Sequence, residues 1–236
     1  GVRHTLWIVE DENVIENITS LFKEIPALYI ADGHHRSASA CKVGLKRREE
    51  NPGYTGDEEF NFFMAAIFPD NDLKIFDYNR VIKDLNGLSS DEFLERIKDA
   101  GFHIEDKGHS IYHPEAKHVF SMYLEGKWYK LTADSSIIPD HVIDSLDVAI
   151  IQNNIFGPIL GIKDPRTDKR IDFVGGIRGL EELEKRAESD MKIGFAVYPV
   201  DVSDLLKVSD NDMVMPPKST WFEPKLASGL FMHRLK

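Results

Sequence analysis

Two apolar-rich runs, Val119 to Leu124 and Lys127 to Leu131, are separated only by Glu125-Gly126, and this constrains the fold more than any other feature. A two-residue connection joins strands only as antiparallel neighbours in a hairpin. A second stretch reads the same way: the apolar run Phe60 to Phe68, the turn-forming Pro69-Asp70-Asn71-Asp72, then Leu73 to Phe76. Segments with helical spacing surround these hairpins. Asp11 precedes Val14, Ile15, Ile18, Leu21, Phe22 and Ile25, with Pro26 as the stop; Ser89 and Glu92 form a capping box ahead of Phe93, Leu94 and Ile97, with Gly101 as the stop. Further helices are predicted over 37–43, through Val142, Leu146 and Ile150, through Ile177, Leu180 and Leu183, and from Val202 to Leu206. Strands are predicted at 4–10, 27–31, 171–174, 193–198 and 230–232, and a polar, mobile connection from Lys46 to Gly56. Helices and hairpins without a regular β-α-β alternation make an α+β protein, a mixed α/β sheet with helices, rather than a doubly wound one.

Charge and cysteine usage narrow the function. The 29 Lys and Arg against 40 Asp and Glu give a net charge of −11, which opposes binding to phosphate backbones, so no nucleic-acid partner is expected. No run approaches the roughly 20 apolar residues of a membrane span. The single cysteine, Cys41, excludes a disulfide framework and any multi-cysteine metal site, and the cytoplasm is the expected compartment. Placed inside a helix, Cys41 reads as a small buried residue. The opening Gly1-Val2-Arg3 lacks an initiating Met and a signal peptide's apolar stretch, so the chain reads as a fragment of a longer polypeptide. Oligomeric state is open, and a homo-oligomer is compatible with this composition.

The densest chemistry is Asp32-Gly33-His34-His35-Arg36, at a strand-to-helix turn. Glycine lets a ligand approach the backbone, and the first turn of the helix, through Ser37, offers unpaired N–H groups and the positive end of the dipole. Arg36 adds a planar fork suited to phosphate or carboxylate oxygens, and His34 or His35 can donate a proton near neutral pH. Asp32 is placed to hold Mg²⁺ or to take a proton from an attacking hydroxyl; the alternative is a helix cap. Lys218-Ser219-Thr220, between Pro216-Pro217 and Pro224, has the cation and hydroxyls of a phosphate loop without its glycines, and Trp221 and Phe222 offer a packing role instead. Gly175-Gly176 is read as either a ligand-contacting turn or a close backbone approach, with Asp172 and Arg178 as its polar candidates. The charged run Asp164 to Arg170 reads as a solvated loop. His103, His109, His113 and His118 lack a recognised metal-ligand spacing, and Cys41 is not expected to be a nucleophile.

The stretches Tyr29-Ile30-Ala31-Asp32-Gly33-His34-His35-Arg36, Asp172-Phe173-Val174-Gly175-Gly176 and Met215 to Lys225 resemble the signatures of the domain-of-unknown-function 1015 family. More distantly, the Asp32 to Arg36 turn resembles the ParB/sulfiredoxin superfamily, including its free serine kinase branch. That resemblance implies a ParB/sulfiredoxin-like core formed by 1–86 and 151–236, with 87–150 as an inserted α+β subdomain. It also implies phosphate binding at the turn, a nucleotide, ATP or ADP, with Mg²⁺, and a small-molecule substrate. In the kinase branch an upstream acidic residue helps activate the serine hydroxyl, and no residue here matches it. The reading is a nucleotide-dependent phosphotransferase acting on a small hydroxylated metabolite such as serine or phosphoserine. Its catalytic residues are Asp32, His34 and His35, its metal ligand is Asp32, and its nucleotide contacts are Gly33, Arg36, Ser37, Lys218, Ser219 and Thr220. The last forty or so residues are then expected to fold back beside the turn. Two alternatives remain open: a non-catalytic nucleotide-binding regulatory module, which normally brings a basic partner region, and a metal-dependent hydrolase using Asp32, His34 and His35.

Overall fold

In the computed structural model, which describes residues 3–227 and 229–235, Asp11 opens helix α1 (Glu12–Lys23) by accepting from the amides of Asn13 and Val14. The chain divides into two compact units, Gly1–Tyr54 and Thr55–Lys236. Gly1 and Val2, on which the expectation of a fragment rests, lie outside the described residues.

The first unit is built from α1 and α2 (His34–Glu50). Helix α1 buries no residue, and α2 buries only Gly44. The expected strands at 4–10 and 27–31 do not form. Trp7, Ile8, Leu28 and Ile30 stand exposed, and neither stretch is a strand. Their β-branched and aromatic residues favour an extended chain, but a strand exists only where a neighbour completes its ladder. The expected mobile connection from Lys46 is corrected in its first half. Residues 46–50 complete α2, because Lys, Arg and Glu are good helix formers and Lys46 pairs with Glu50 one turn on at 3.7 Å. Cys41, expected to be buried, is exposed.

The second unit holds strands β1 (Lys74–Phe76), β2 (Tyr78–Ile82), β3 (Phe102–Gly108), β4 (Val119–Leu124), β5 (Lys127–Ala133), β6 (Ile171–Gly175), β7 (Ile193–Ala196) and β8 (Trp221–Glu223). Its helices are α3 (Ser90–Asp99), α4 (Asp147–Ile151), α5 (Glu181–Ser189) and α6 (Val202–Asp210), and α4 runs on as a π-turn over Gln152–Phe156. Six strands form one sheet in the order β3-β5-β4-β7-β2-β6, and every neighbouring pair is antiparallel. The mixed helix and antiparallel-sheet class is as the sequence indicated. The segment 87–150 contributes β3, β4 and β5 to the same sheet as the strands flanking it.

The hairpin of β4 and β5 turns through Glu125 at φ 49° and Gly126 at φ 79°. Positive φ at both positions is the turn geometry that matches strand twist. Ser89 and Glu92 form the expected capping box of α3. The expected hairpin over 60–76 is corrected: Phe62, Phe63, Met64 and Ile67 are exposed and unpaired in any ladder, and β1 pairs instead with β8, Phe76 opposite Trp221. Residues 230–232 likewise form no strand.

Alternation along the strands sends side chains to two covered faces. Ile82, Phe120, Met122, Leu124, Ile193 and Phe195 join Phe93 and Ile97 of α3 and Ile150 and Ile151 of α4 in the larger core. Val81, Tyr123, Val174 and Ala196 meet Leu183 of α5 on the other face. Gly194 lies directly beneath that helix, where an added Cβ would stand 2.9 Å from Leu183.

Candidate functional site

In the first unit, Gly33 is the N-cap of α2, at φ 83° and ψ 24°, and no side chain caps the helix. This left-handed conformation strongly favours glycine. It turns Asp32 back so that its carboxylate accepts from the Gly33 amide at 2.7 Å. Asp32 thus bonds the amide of the residue that caps α2. The helical ladder begins with the Ser37 amide donating to the Gly33 carbonyl at 2.9 Å, so the amides of His34, His35 and Arg36 precede it. The Arg36 guanidinium folds back over the turn, where a Cβ on Gly33 would meet its Nε and Nη2 at 3.5 Å. Asp32, His34, His35 and Arg36 are all exposed, and Ser37 is half-buried. The turn thus gathers glycine backbone, first-turn amides, imidazoles and a guanidinium at one helix start, which is an arrangement for anions.

In the second unit, the two other motifs flagged by sequence meet at one end of the sheet. Antiparallel pairing sets Tyr78 opposite Gly175 and Arg80 opposite Phe173, and β8 lies against β1, just ahead of β2. A Cβ on Gly175 would stand 2.6 Å from the Trp221 ring, and one on Gly176 would collide with the Asp77 carboxylate. This glycine pair therefore serves close packing. Lys218 has φ 56°; its carbonyl accepts from Arg80 Nη2 at 3.1 Å, and its ammonium lies 5.3 Å from the centre of the Tyr78 ring. Ser219 is buried and donates its hydroxyl to the Pro216 carbonyl at 2.6 Å, while Thr220 is half-buried. Lys218 is exposed. Sequence reading passed over the residues that organise this end, Asp77, Tyr78, Asn79 and Arg80. The available signal was an arginine and an asparagine inside an otherwise strand-like run, where buried polar groups are rare. Asn79 is fully buried; its amide group donates to the Asp77 carboxylate and its oxygen accepts from the Val197 amide at 3.2 Å. Burial pushes the Asp77 carboxyl upward against the opposing Asn79 hydrogen bond, and burial lowers Arg80 to about 10.

Several other flagged residues are engaged in structure. Asp172 pairs with Arg186 at 2.9 Å, and Arg178 with Glu182 at 3.7 Å. Within the run 164–170, Arg166 holds Asp164, and Arg170 holds Asp168 and Asp84. His109 bonds the Gly126 carbonyl at 2.6 Å. His118 belongs to a buried group the sequence did not indicate: its amide donates to the Asp147 carboxylate at 2.8 Å, and burial raises that carboxyl to about 7. Among the described residues no three His, Cys, Asp or Glu side chains converge in a metal-binding group. Nor is any described helix long and apolar enough to cross a membrane.

The fold is that of a mixed helix and antiparallel-sheet protein, and a left-handed glycine opens its second helix. The chain belongs to the family described as protein of unknown function (DUF1015), which it matches over residues 1–149. No curated protein matches it significantly. Similar solved structures include free serine kinase in complex with AMP, at 16% identity and TM-score 0.43, covering 91% of this chain and 81% of that one. A mutant of free serine kinase in complex with ADP is 17% identical at TM-score 0.42, covering 89% of this chain and 78% of its own. A conserved hypothetical protein from Pyrococcus furiosus is 16% identical at TM-score 0.43, covering 89% and 81%.

Proposed function

We propose that this protein is a nucleotide-dependent phosphotransferase of the cytoplasm acting on a small hydroxylated metabolite such as serine or phosphoserine. The observation that carries the reading is the start of α2: a left-handed Gly33 with no side-chain cap, followed by His34, His35 and Arg36 exposed in the first turn. Phosphate oxygens of ATP or ADP bind the first-turn amides, through Ser37, and the Arg36 fork, where the helix dipole and guanidinium both favour negative charge. Asp32 takes the proton of the substrate hydroxyl as its oxygen forms a bond to the terminal phosphorus and the bond from that phosphorus to the nucleotide's bridging oxygen breaks. His34 or His35 donates a hydrogen bond or proton to the departing phosphate oxygen. Asp32 is also the carboxylate that would hold Mg²⁺, which supplies charge neutralisation to the phosphates when bound. In the second unit, Lys218 is assigned a phosphate contact as a point charge, with Thr220 beside it; Ser219 contributes through the loop that its hydroxyl bond to Pro216 holds.

Calorimetry with ADP on the full chain tests this. Arg36→Ala should weaken binding by about 1.5 to 3 kcal/mol, the worth of a charged hydrogen bond. In the same series Asp32→Asn should keep ADP affinity within several-fold and lose phosphoryl transfer. Unchanged affinity in folded Arg36→Ala protein would overturn the assignment of the turn.

A further inference from the structure

Arg80 poses a problem of charge. It lies in β2, between β7 and β6, with 4% of its surface exposed. A buried guanidinium is normally matched by a carboxylate within ion-pair distance. Among the described residues Arg80 has no such partner. Its fork is directed at two backbone carbonyls, Tyr78 in its own strand and Lys218, 138 residues away, while the Phe173 ring lies 5.6 Å from the guanidinium carbon. The Asp77 carboxylate acts on it through space without an ion pair at contact distance, and burial raises that carboxyl above its usual range.

The other end of Lys218 is also met by β2, since its ammonium rests over the Tyr78 ring. Lys218 is therefore gripped at both ends, with its backbone in the left-handed region that a lysine rarely adopts. Anchoring the loop does not require this grip. Trp221 packs where Gly175 lacks a side chain, Phe222 is buried, Ser219 bonds Pro216, and β8 pairs with β1. What the grip adds is a fixed, exposed ammonium beside a buried guanidinium that, among the described residues, has no carboxylate within ion-pair distance.

We propose that Arg80, together with Tyr78, is a positioning residue that sets the Lys218 ammonium to receive a phosphate oxygen, the buried guanidinium adding to the positive potential at that spot. This rests on the reading of Lys218 as a phosphate contact. It extends that reading to residues of a strand that carries no phosphate-binding signature in the sequence.

Lysine-selective NMR on the full chain, with Lys218→Ala used for assignment, tests the positioning without any ligand. The Lys218 ε-methylene should carry an upfield ring-current shift from Tyr78. Arg80→Lys keeps the charge but lacks the fork that reaches two carbonyls, and should abolish that shift, as should Tyr78→Leu. A wild-type shift at the random-coil value, or one that survives in Arg80→Lys, overturns the proposal. ADP calorimetry then supplies a cycle. Arg80→Lys and Tyr78→Leu should each weaken binding about tenfold, yet change it less than about twofold once Lys218 is alanine. Additive losses overturn the proposal while leaving the phosphate role of Lys218 intact. No loss in Lys218→Ala itself overturns that phosphate role instead, and the ligand-free shift still decides whether Arg80 positions the side chain. If Arg80→Lys fails to fold, the wild-type protein decides: ADP should move the Lys218 ε-methylene and the Arg80 Nε–H resonances together, and movement of Lys218 alone overturns the proposal.

Discussion

The two units divide chemistry and burial unequally. Gly1–Tyr54 carries the cluster from Asp32 to Arg36, yet Gly44 is the one residue that its two helices bury. Thr55–Lys236 carries a two-faced sheet with Phe93, Phe120, Phe156 and Phe195 fully enclosed, and its polar group around Arg80 was invisible as a motif. The contrast teaches that a dense motif and a stable core are separate properties. The Asp32 to Arg36 turn needs only a glycine and the start of a helix, both local. The site around Arg80 needs a sheet, because its members come from β2, from β6 and from the loop before β8.

The sharpest way to break this contrast is to compare core deletions. Phe120 is fully buried in β4, edge-on to Phe102 at 5.9 Å. Phe120→Ala should cost about 3 to 5 kcal/mol in denaturant unfolding, through lost transfer energy and the cavity left behind. A loss below about 1 kcal/mol would show that the core yields, unlike the close packing described here.

A smaller effect comes from pH. Burial raises the Asp147 carboxyl from 3.8 to about 7, against hydrogen bonds from the His118 and Tyr198 backbone. The folded state therefore keeps a proton that the unfolded chain releases. The Asp147 contribution to stability is greatest below pH about 4, falls as pH rises toward about 7 and then levels, as proton linkage requires. Asp147→Asn, which retains an oxygen acceptor, should flatten that decline, removing a pH-dependent change on the order of a few kcal/mol. An unchanged profile in the variant would assign the slope to other groups.

The smallest effect belongs to the first unit. Ile18 lies on the exposed apolar face of α1 with 43% of its surface accessible. Ile18→Ala should shift stability by no more than about 0.5 kcal/mol, as for ordinary surface positions. A loss above about 2 kcal/mol would mean that this face is covered in solution, and the contrast between the units would narrow.

The sequence by itself determined the features whose causes lie within a few residues. Asp11 and Ser89 cap helices through amides two or three positions on, and Glu125-Gly126 closes a hairpin because both adopt positive φ. The Asp32 to Arg36 turn was legible for the same reason: glycine and helix start are adjacent. Tertiary structure decided which apolar runs became strands. Residues 4–10, 27–31 and 60–68 have strand composition but form no strand, whereas Tyr78–Ile82, with its asparagine and arginine, became a middle strand between β7 and β6. Strand identity is settled by hydrogen bonds and burial contributed by distant segments, so no local pattern encodes it. Arg80 shows this most clearly. Its burial and its bond to the Lys218 carbonyl exist only once the chain brings together residues 138 positions apart, and its role follows from that meeting.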